Sequence, residues 1–388
     1  MSDRKETLEL IVSAARRFAR EVLLPAEIEV EETGEIPGHV VQGLRDLGLF
    51  GMTVPEEYGG LGLSVHEEVS VVFEICYAQP AFRSYFGTTN GVGTLGIINF
   101  GTEEQKRKYL PRLATGETMA SFALTEPDSG SDAASITTKA VRDGDHYVIN
   151  GTKRFITNAV HAGLFTVFAR TGPKELRAAG ISAFLVEADT PGVTVATPYR
   201  KMGFAGSHES DVIFDNVSIP VGAMLGAEGT GFKNAMTSLD HARLHMSAVA
   251  TGLCQRLLDE GIRYAIERKQ FGRPIAEFQL IQAMLADSGA EAYAARAMVE
   301  RAAMDKDAGK NITKEAAYCK YFATEAAGRI ADRMLQVHGG NGYIKEYAIE
   351  RLYRDVRLLR IYEGTSQILQ LIAARELVRN FGIDGSSS

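Results

Sequence analysis

Glu363 stands in IYEGTSQIL, between Tyr362 and Gly364 and flanked on both sides by apolar residues. Desolvation in a dry apolar setting raises a carboxyl pKa toward neutrality, which would make this residue a usable general base. The same glutamate could instead open a helix and answer its macrodipole. Four further stretches offer contact chemistry. FALTEPDSGSD, residues 122–132, joins a short apolar run to hydroxyls and glycine that could cradle a polar cofactor edge, or make a surface turn. RFITN, residues 154–158, sets an aromatic beside a threonine hydroxyl, suited to flanking a planar ring or to finishing a strand. RKQFGRPI, residues 268–275, groups cations, a glutamine and an aromatic that suit phosphate and adenine, although cations also belong at helix C-termini. In QVHGGNGY, residues 336–343, one glycine would serve as a helix cap, and two allow a backbone to approach a ligand closely.

NGVGTLG, residues 90–96, has the glycine spacing of a dinucleotide fingerprint. That spacing has a mechanism only between a strand and its crossover helix, which the flanking residues do not provide. Close helix packing is therefore expected of Gly91, Gly93 and Gly96. His338 has no HExxH-type partner, and no metal is expected. The three cysteines, Cys76, Cys254 and Cys319, lack CxxC spacing, which points to a reduced compartment. A net charge of -7 disfavours nucleic acid as a partner.

Positioning these residues takes an α, then β, then α order. With 388 residues, 45% apolar, the chain has core enough for two or three domains. Apolar spacing predicts helices over 7–24, closed by Pro25, and over 37–49 and 65–78, with another after a capping Thr102. From Met119 the runs FALTEP, HYVINGTKRFITN, LFTVFAR, ISAFLVEA and DVIFDNVSIP read as strands between turn residues. Long Ala-rich helical patterns return from Phe232. The expected domains are 1–117 (all-α), 118–226 (β) and 227–388 (helical bundle). The tail FGIDGSSS is expected to be disordered. The N-terminal run MSDRKETLELIVSAARRFAREVLLP has no uninterrupted apolar segment for a signal or membrane span, so a cytoplasmic location is expected.

Taken in order, FALTEPDSGSD, FITN, RKQFG, QVHGGNGY and IYEGTSQI resemble the acyl-CoA dehydrogenase family across nearly the whole chain. The resemblance implies an α+β fold: an N-terminal helical domain, a middle β-barrel or sandwich, and a C-terminal four-helix bundle. It implies a homotetramer, a dimer of dimers, binding FAD and passing electrons to electron-transferring flavoprotein in fatty acid β-oxidation. By the same resemblance the flavin lies against Phe122, Ala123, Leu124 and Thr125 and against Phe155, Ile156 and Thr157, with Ser131 near diphosphate or the CoA arm. Phe155 replaces the tryptophan of many relatives. Arg268, Gln270, Phe271, Phe278 and Gln279, with Gln336, Val337, Gly339 and Gly340, would reach the adenosine half of FAD bound mainly by the partner chain. Gly364, Thr365, Ser366 and Gln367 would close the site.

Glu363 matches the catalytic base of the short-chain, medium-chain and glutaryl types. It would take the α-proton of an acyl-CoA thioester while the β-hydride leaves for flavin, and its own N–H would hold the thioester oxygen. The alternative base position of long-chain and isovaleryl types is Ala242 here, in SLDHARLH. Asp240, Arg243 and Tyr362 would line the substrate channel. Arg83, in AFRSYFG, resembles the arginine that receives the distal carboxylate in glutaryl-CoA dehydrogenases. An acid-tailed substrate, decarboxylated or desulfinated, is the alternative to a short- to medium-chain acyl group. Arg83 could equally tie two helices together, and Glu74 is the nearby carboxylate in sequence.

Overall fold

The computed structural model describes residues 2–381. The expected tail disorder concerns residues that lie almost wholly outside that range. Seven helices come first: α1 (Ser2–Phe18), α2 (Leu24–Thr33), α3 (Gly38–Asp46), α4 (Val65–Ile75), α5 (Ala81–Thr88), α6 (Thr94–Phe100) and α7 (Glu103–Ala114). Capping boxes start α4 at Ser64 with Glu67 and α7 at Thr102 with Gln105, satisfying helix N–H groups that nothing else reaches. Pro25 does not end the first helix. A π-turn over Ala19–Leu23 intervenes, and Pro25 falls in the first turn of α2, where its missing N–H costs nothing.

The middle of the chain forms one eight-stranded sheet: β1 (Met119–Ala123), β2 (Lys139–Asp143), β3 (His146–Thr157), β4 (Ala162–Arg170), β5 (Ile181–Glu187), β6 (Val193–Val195), β7 (Glu209–Pro220) and β8 (Met224–Leu225). Its order is β6-β7-β3-β2-β4-β5-β8, with β1 added parallel to β4. Strand alternation serves two cores: Leu164 and Phe168 of β4 pack with helical residues such as Ile97 and Leu110, while Phe165 and Val167 join Phe184 and Phe214.

The C-terminal part holds α8 (Gly231–Glu267), a small hairpin of β9 (Lys269–Gln270) and β10 (Arg273–Pro274), α9 (Gln279–Asp307), α10 (Thr313–His338), α11 (Ala348–Leu358) and α12 (Ser366–Asn380). These helices do not keep a core to themselves. One cluster runs from Leu44, Val72 and Phe82 to Leu253, Ala323 and Met334, so the first and last helices share one interior. Gly252 permits this, because a Cβ there would meet the Phe73 carbonyl at 2.7 Å. The glycines at 90–96 do not space two helices: a Cβ on Gly93 would lie 2.7 Å from that of Ala120 in β1, one on Gly96 would lie 3.1 Å from Leu225 in β8, and one on Gly91 would meet nothing within 4 Å. None of the described helices is long and apolar enough to cross a membrane.

Candidate active site

Glu363 lies in the turn between α11 and α12, two residues before the α12 N-cap, Thr365. It is not a helix-start glutamate. Its φ is +53°, a left-handed conformation that costs a non-glycine residue about 1–2 kcal/mol. The residue is part-buried, and its Oε2 is sealed from solvent without a hydrogen-bond partner. Burial pushes the carboxyl pKa above its ordinary value, against the opposing pull of Arg83, Lys320, Arg243 and His241. Tyr362 packs edge-on to Phe204 at 6.2 Å, and its hydroxyl meets Met246 Sδ at 3.5 Å. The carboxylate thus stands where an apolar wall meets several cations.

Arg83, on α5, is buried, and its Nε donates to His245 Nε2 on α8 at 2.7 Å. A ring nitrogen that accepts from a guanidinium carries no proton, so His245 is a neutral imidazole protonated at Nδ1, which donates to Glu68 at 2.6 Å. Burial and Arg83 agree, pushing the His245 pKa down to about 4. Glu68 also meets His241 Nε2 at 2.7 Å and accepts from Asn90 at 2.8 Å. Arg83 therefore does tie two helices, yet among the described residues its two Nη groups make no hydrogen bond or ion pair. Glu74 plays no part here: it faces outward and pairs with Arg16 at 3.0 Å. Asp240 is engaged by Arg243 at 2.8 Å and Thr313 at 2.7 Å, while the buried Arg243 Nε has no partner.

The two stretches from the middle of the chain converge. Arg154 N–H donates to the Thr125 carbonyl at 2.8 Å, setting residues 155–157 beside 122–125. The pairing of β3 with β7 slips between Lys153 and Ile156, and Phe155, at φ +56°, turns its ring outward, 57% exposed. Behind it the buried Lys153 bonds the Leu124 carbonyl at 3.1 Å and Glu126 at 2.8 Å. Glu126 in turn accepts from Thr137 and Thr138, fixing the loop that ends in exposed Ser131. Sequence reasoning assigned no role to Lys153, Glu126, Glu68, His245 or Lys320, although Glu126 lies within FALTEPDSGSD and His245 within SLDHARLH; only Lys320, in the Ala-rich AAYCKYFA, stood out locally as a charge in a mostly apolar stretch.

The remaining expected residues gather elsewhere. Phe271 and Gly272 form the loop of the β9–β10 hairpin, both at positive φ, and the Phe271 ring is 93% exposed. It meets Phe278 edge-on at 5.9 Å, with Arg268, Gln270 and Gln279 exposed nearby in sequence. The end of α10 joins this region, since Tyr264 stacks on His338 at 4.2 Å and Asn341 bonds the Tyr264 hydroxyl at 2.9 Å. Gln336 is exposed, Val337 buried, and Gly339 caps the helix at φ +59°. Lys320, which bonds the Tyr362 and Gly364 carbonyls, precedes His338 by 18 residues of α10, about 27 Å along the helix axis. One chain therefore does not bring Arg268–Gln279 and Gln336–Gly340 to Glu363. Among the described residues, Glu35, His161 and His208 have ligand-type atoms within 4.8 Å of one another, two of the three being exposed; His208 and Glu35 pair at 3.3 Å.

Three family models match the chain: the acyl-CoA dehydrogenase N-terminal domain over residues 5–117, the middle domain over 121–217 and the C-terminal domain over 229–378. A probable acyl-CoA dehydrogenase, YngJ, of Bacillus subtilis is 43% identical over 371 residues, covering 96% of this chain and 98% of that protein. The caffeyl-CoA reductase-Etf complex subunit CarC of Acetobacterium woodii is 40% identical over 375 residues, 96% of this chain and 99% of that one. The structure of butyryl-CoA dehydrogenase from Megasphaera elsdenii superposes with a TM-score of 0.93 at 35% identity, covering 96% and 98% of the two chains.

Proposed function

Because the chain belongs to the acyl-CoA dehydrogenase family of flavin-dependent oxidoreductases, we propose that it α,β-dehydrogenates a short- to medium-chain acyl-CoA with Glu363 as base. The observation that carries this reading is the Glu363 carboxyl: Oε2 sealed and unpartnered, its pKa raised by burial, its backbone held in a left-handed turn. FAD is the family's cofactor, and this chain's residues fit it. Phe155 and Phe271 are large aromatics exposed at positive φ, an arrangement that costs the fold both backbone strain and apolar exposure and that a planar ligand would relieve. Phe122–Thr125 and Phe155–Thr157 would hold its ring system, with Ser131 at the diphosphate or CoA arm.

Bound FAD supplies the acceptor for the hydride that leaves the β-carbon. Glu363 takes the α-proton, so that the two C–H bonds are exchanged for the carbon–carbon double bond of a trans-2-enoyl-CoA. A raised pKa suits a base that must accept a proton from weakly acidic carbon. Arg83, Lys320 and Arg243 oppose the burial-driven rise and favour the ionised form that a base needs. The Glu363 N–H holds the thioester oxygen, where an oxyanion donor is typically worth about 3 kcal/mol. Tyr362, with Phe204 and Met246, excludes water from the acyl side. Arg243 and Gly364 border the same channel.

Anaerobic addition of butyryl-CoA should bleach the flavin of the purified protein. Glu363→Gln should keep its flavin and bleach at least a hundredfold more slowly. A yellow protein that no straight, branched or dicarboxylic acyl-CoA bleaches would reject the activity. The Etf-complex relative supports electron-transferring flavoprotein as the acceptor. The roughly 27 Å of α10 between Lys320, which holds the Gly364 carbonyl, and His338 supports a homotetramer in which residues 268–279 and 336–340 of one copy serve the next. Free, buried Cys76, Cys254 and Cys319 suit a cytoplasmic setting, and the family membership supports a role in β-oxidation.

A second reading rests on Arg83. A buried guanidinium with Nε spent on His245 and both Nη groups unpaired can receive a carboxylate or sulfinate at the far end of a short acyl chain. Arg83→Met should then lower kcat/KM for glutaryl-CoA tenfold or more beyond its effect on butyryl-CoA. Equal losses on both would leave Arg83 as a tie between α5 and α8.

A further inference from the structure

Lys320 lies in the Ala-rich middle of α10, 0% exposed, at a position that an apolar residue could fill without the desolvation cost of a buried ammonium. Its Nζ donates to the carbonyl of Tyr362 at 2.9 Å and to that of Gly364 at 2.7 Å, the two residues that bracket Glu363. Two consequences follow from covalent geometry. The Tyr362 C=O and the Glu363 N–H belong to one planar trans peptide and point in opposite directions, so drawing the oxygen toward α10 aims the N–H away from it. Among the described residues that N–H meets no acceptor, which leaves it for a ligand oxygen. Holding the carbonyls on both sides also maintains Glu363 at φ +53°, against the strain of that conformation, and so sets the direction of its carboxylate.

We propose that Lys320 is a positioning residue that clamps the Tyr362 and Gly364 carbonyls and thereby aims both the carboxylate and the amide N–H of Glu363 at the acyl thioester. The inference rests on Glu363 being the base. The clamp has an electrostatic side as well. The charged groups acting on Lys320 are Glu363, Arg243 and Glu325, and those acting on Glu363 are Arg83, Lys320, Arg243 and His241. Lys320 is thus one of the cations that oppose the burial-driven rise of the Glu363 pKa, and its ammonium polarises the very peptide whose N–H receives the substrate oxygen.

The test uses the holoenzyme with Lys320→Met, Lys320→Arg and Lys320→Gln. Flavin content is checked by absorbance, and binding of acetoacetyl-CoA and free CoA is measured by calorimetry. Acetoacetyl-CoA gives an enolate whose oxygen needs the Glu363 N–H; free CoA has no thioester. Lys320→Met should weaken acetoacetyl-CoA tenfold or more and leave free CoA within about twofold. With a cation lost, the Glu363 pKa rises, so the acid limb of kcat/KM should move to higher pH. Lys320→Arg, which keeps charge and donors, should restore the limb and most of the affinity. Unchanged enolate affinity with an unmoved limb, or equal loss of both ligands, overturns the proposal. Should Lys320→Met not fold, Lys320→Gln decides: it retains a donor without the charge, and an unmoved limb overturns the proposal. Failure of the underlying reading would show separately, as a wild-type protein that no acyl-CoA bleaches and that Glu363→Gln leaves unaltered.

Discussion

A buried glutamate proposed as a base faces two opposed demands, and the residues around Glu363 divide them. Burial raises its proton affinity, and Arg83, Lys320, Arg243 and His241 resist that rise. The Arg83–His245–Glu68–His241 network is a second unit of this kind, in which His245 must remain neutral to accept from Arg83. An unfolded histidine takes its proton near pH 6.5, whereas His245 in the fold waits until about 4. Between those values the unfolded chain binds the extra proton. The contribution of His245 to stability is therefore complete above pH 6.5 and is lost as pH falls toward 4, by up to roughly 3 kcal/mol. Melting temperatures at pH 7.5 and 5.0 should differ less for His245→Gln than for the wild type. An equal drop in both would mean that the loss arises at other groups.

At the scale of elements, glycines and exposed aromatics set how closely the pieces meet. A Cβ on Gly93 would stand 2.7 Å from the Ala120 Cβ and 2.9 Å from the Thr88 carbonyl, both in the buried junction between the turn before α6 and β1. Gly93→Ala should cost about 1–3 kcal/mol in denaturant unfolding, as overpacking usually does. Flavin content per folded molecule should stay the same, because this glycine lets a helical turn approach β1 and does not cradle a dinucleotide. β1 leads into Thr125, whose carbonyl accepts from Arg154 N–H, so a variant that lost flavin without losing stability would contradict that division of roles.

The whole molecule leaves one task unfinished. Phe271 is 93% exposed, Tyr343 86% and Leu280 80%, all near the hairpin and α10 end that stand far from Glu363 within one chain. Exposed apolar residues of this size mark an interface. If the chain forms the proposed homotetramer, Leu280→Asp should reduce that species in sedimentation and lower bound flavin with it. Dissociation that left flavin binding intact would show that a single chain holds the cofactor.

Much of this was legible in the amino-acid order. Turn residues and apolar periods separate the α, β and α stretches because each period reports a local backbone geometry, whereas Glu363 was singled out by the resemblance of five ordered stretches, its local chemistry fitting a helix-start glutamate as well. The capping of α7 by Thr102 was equally local. Other features lay beyond local pattern. The continuation of the first helix past Pro25 depends on a π-turn that shifts the hydrogen-bond register. The shared interior of first and last helices depends on α4 meeting α8 across Gly252. Lys320, 43 residues before Glu363, and Glu68, 177 before His245, become partners only when distant helices pack. Sequence spacing reports what a segment does to itself, whereas burial, charge balance and the orientation of one peptide depend on which other segment arrives beside it. The amino-acid order determined the elements and marked the candidate base; the tertiary structure decided which lysine holds the carbonyls on either side of it and which cations surround it.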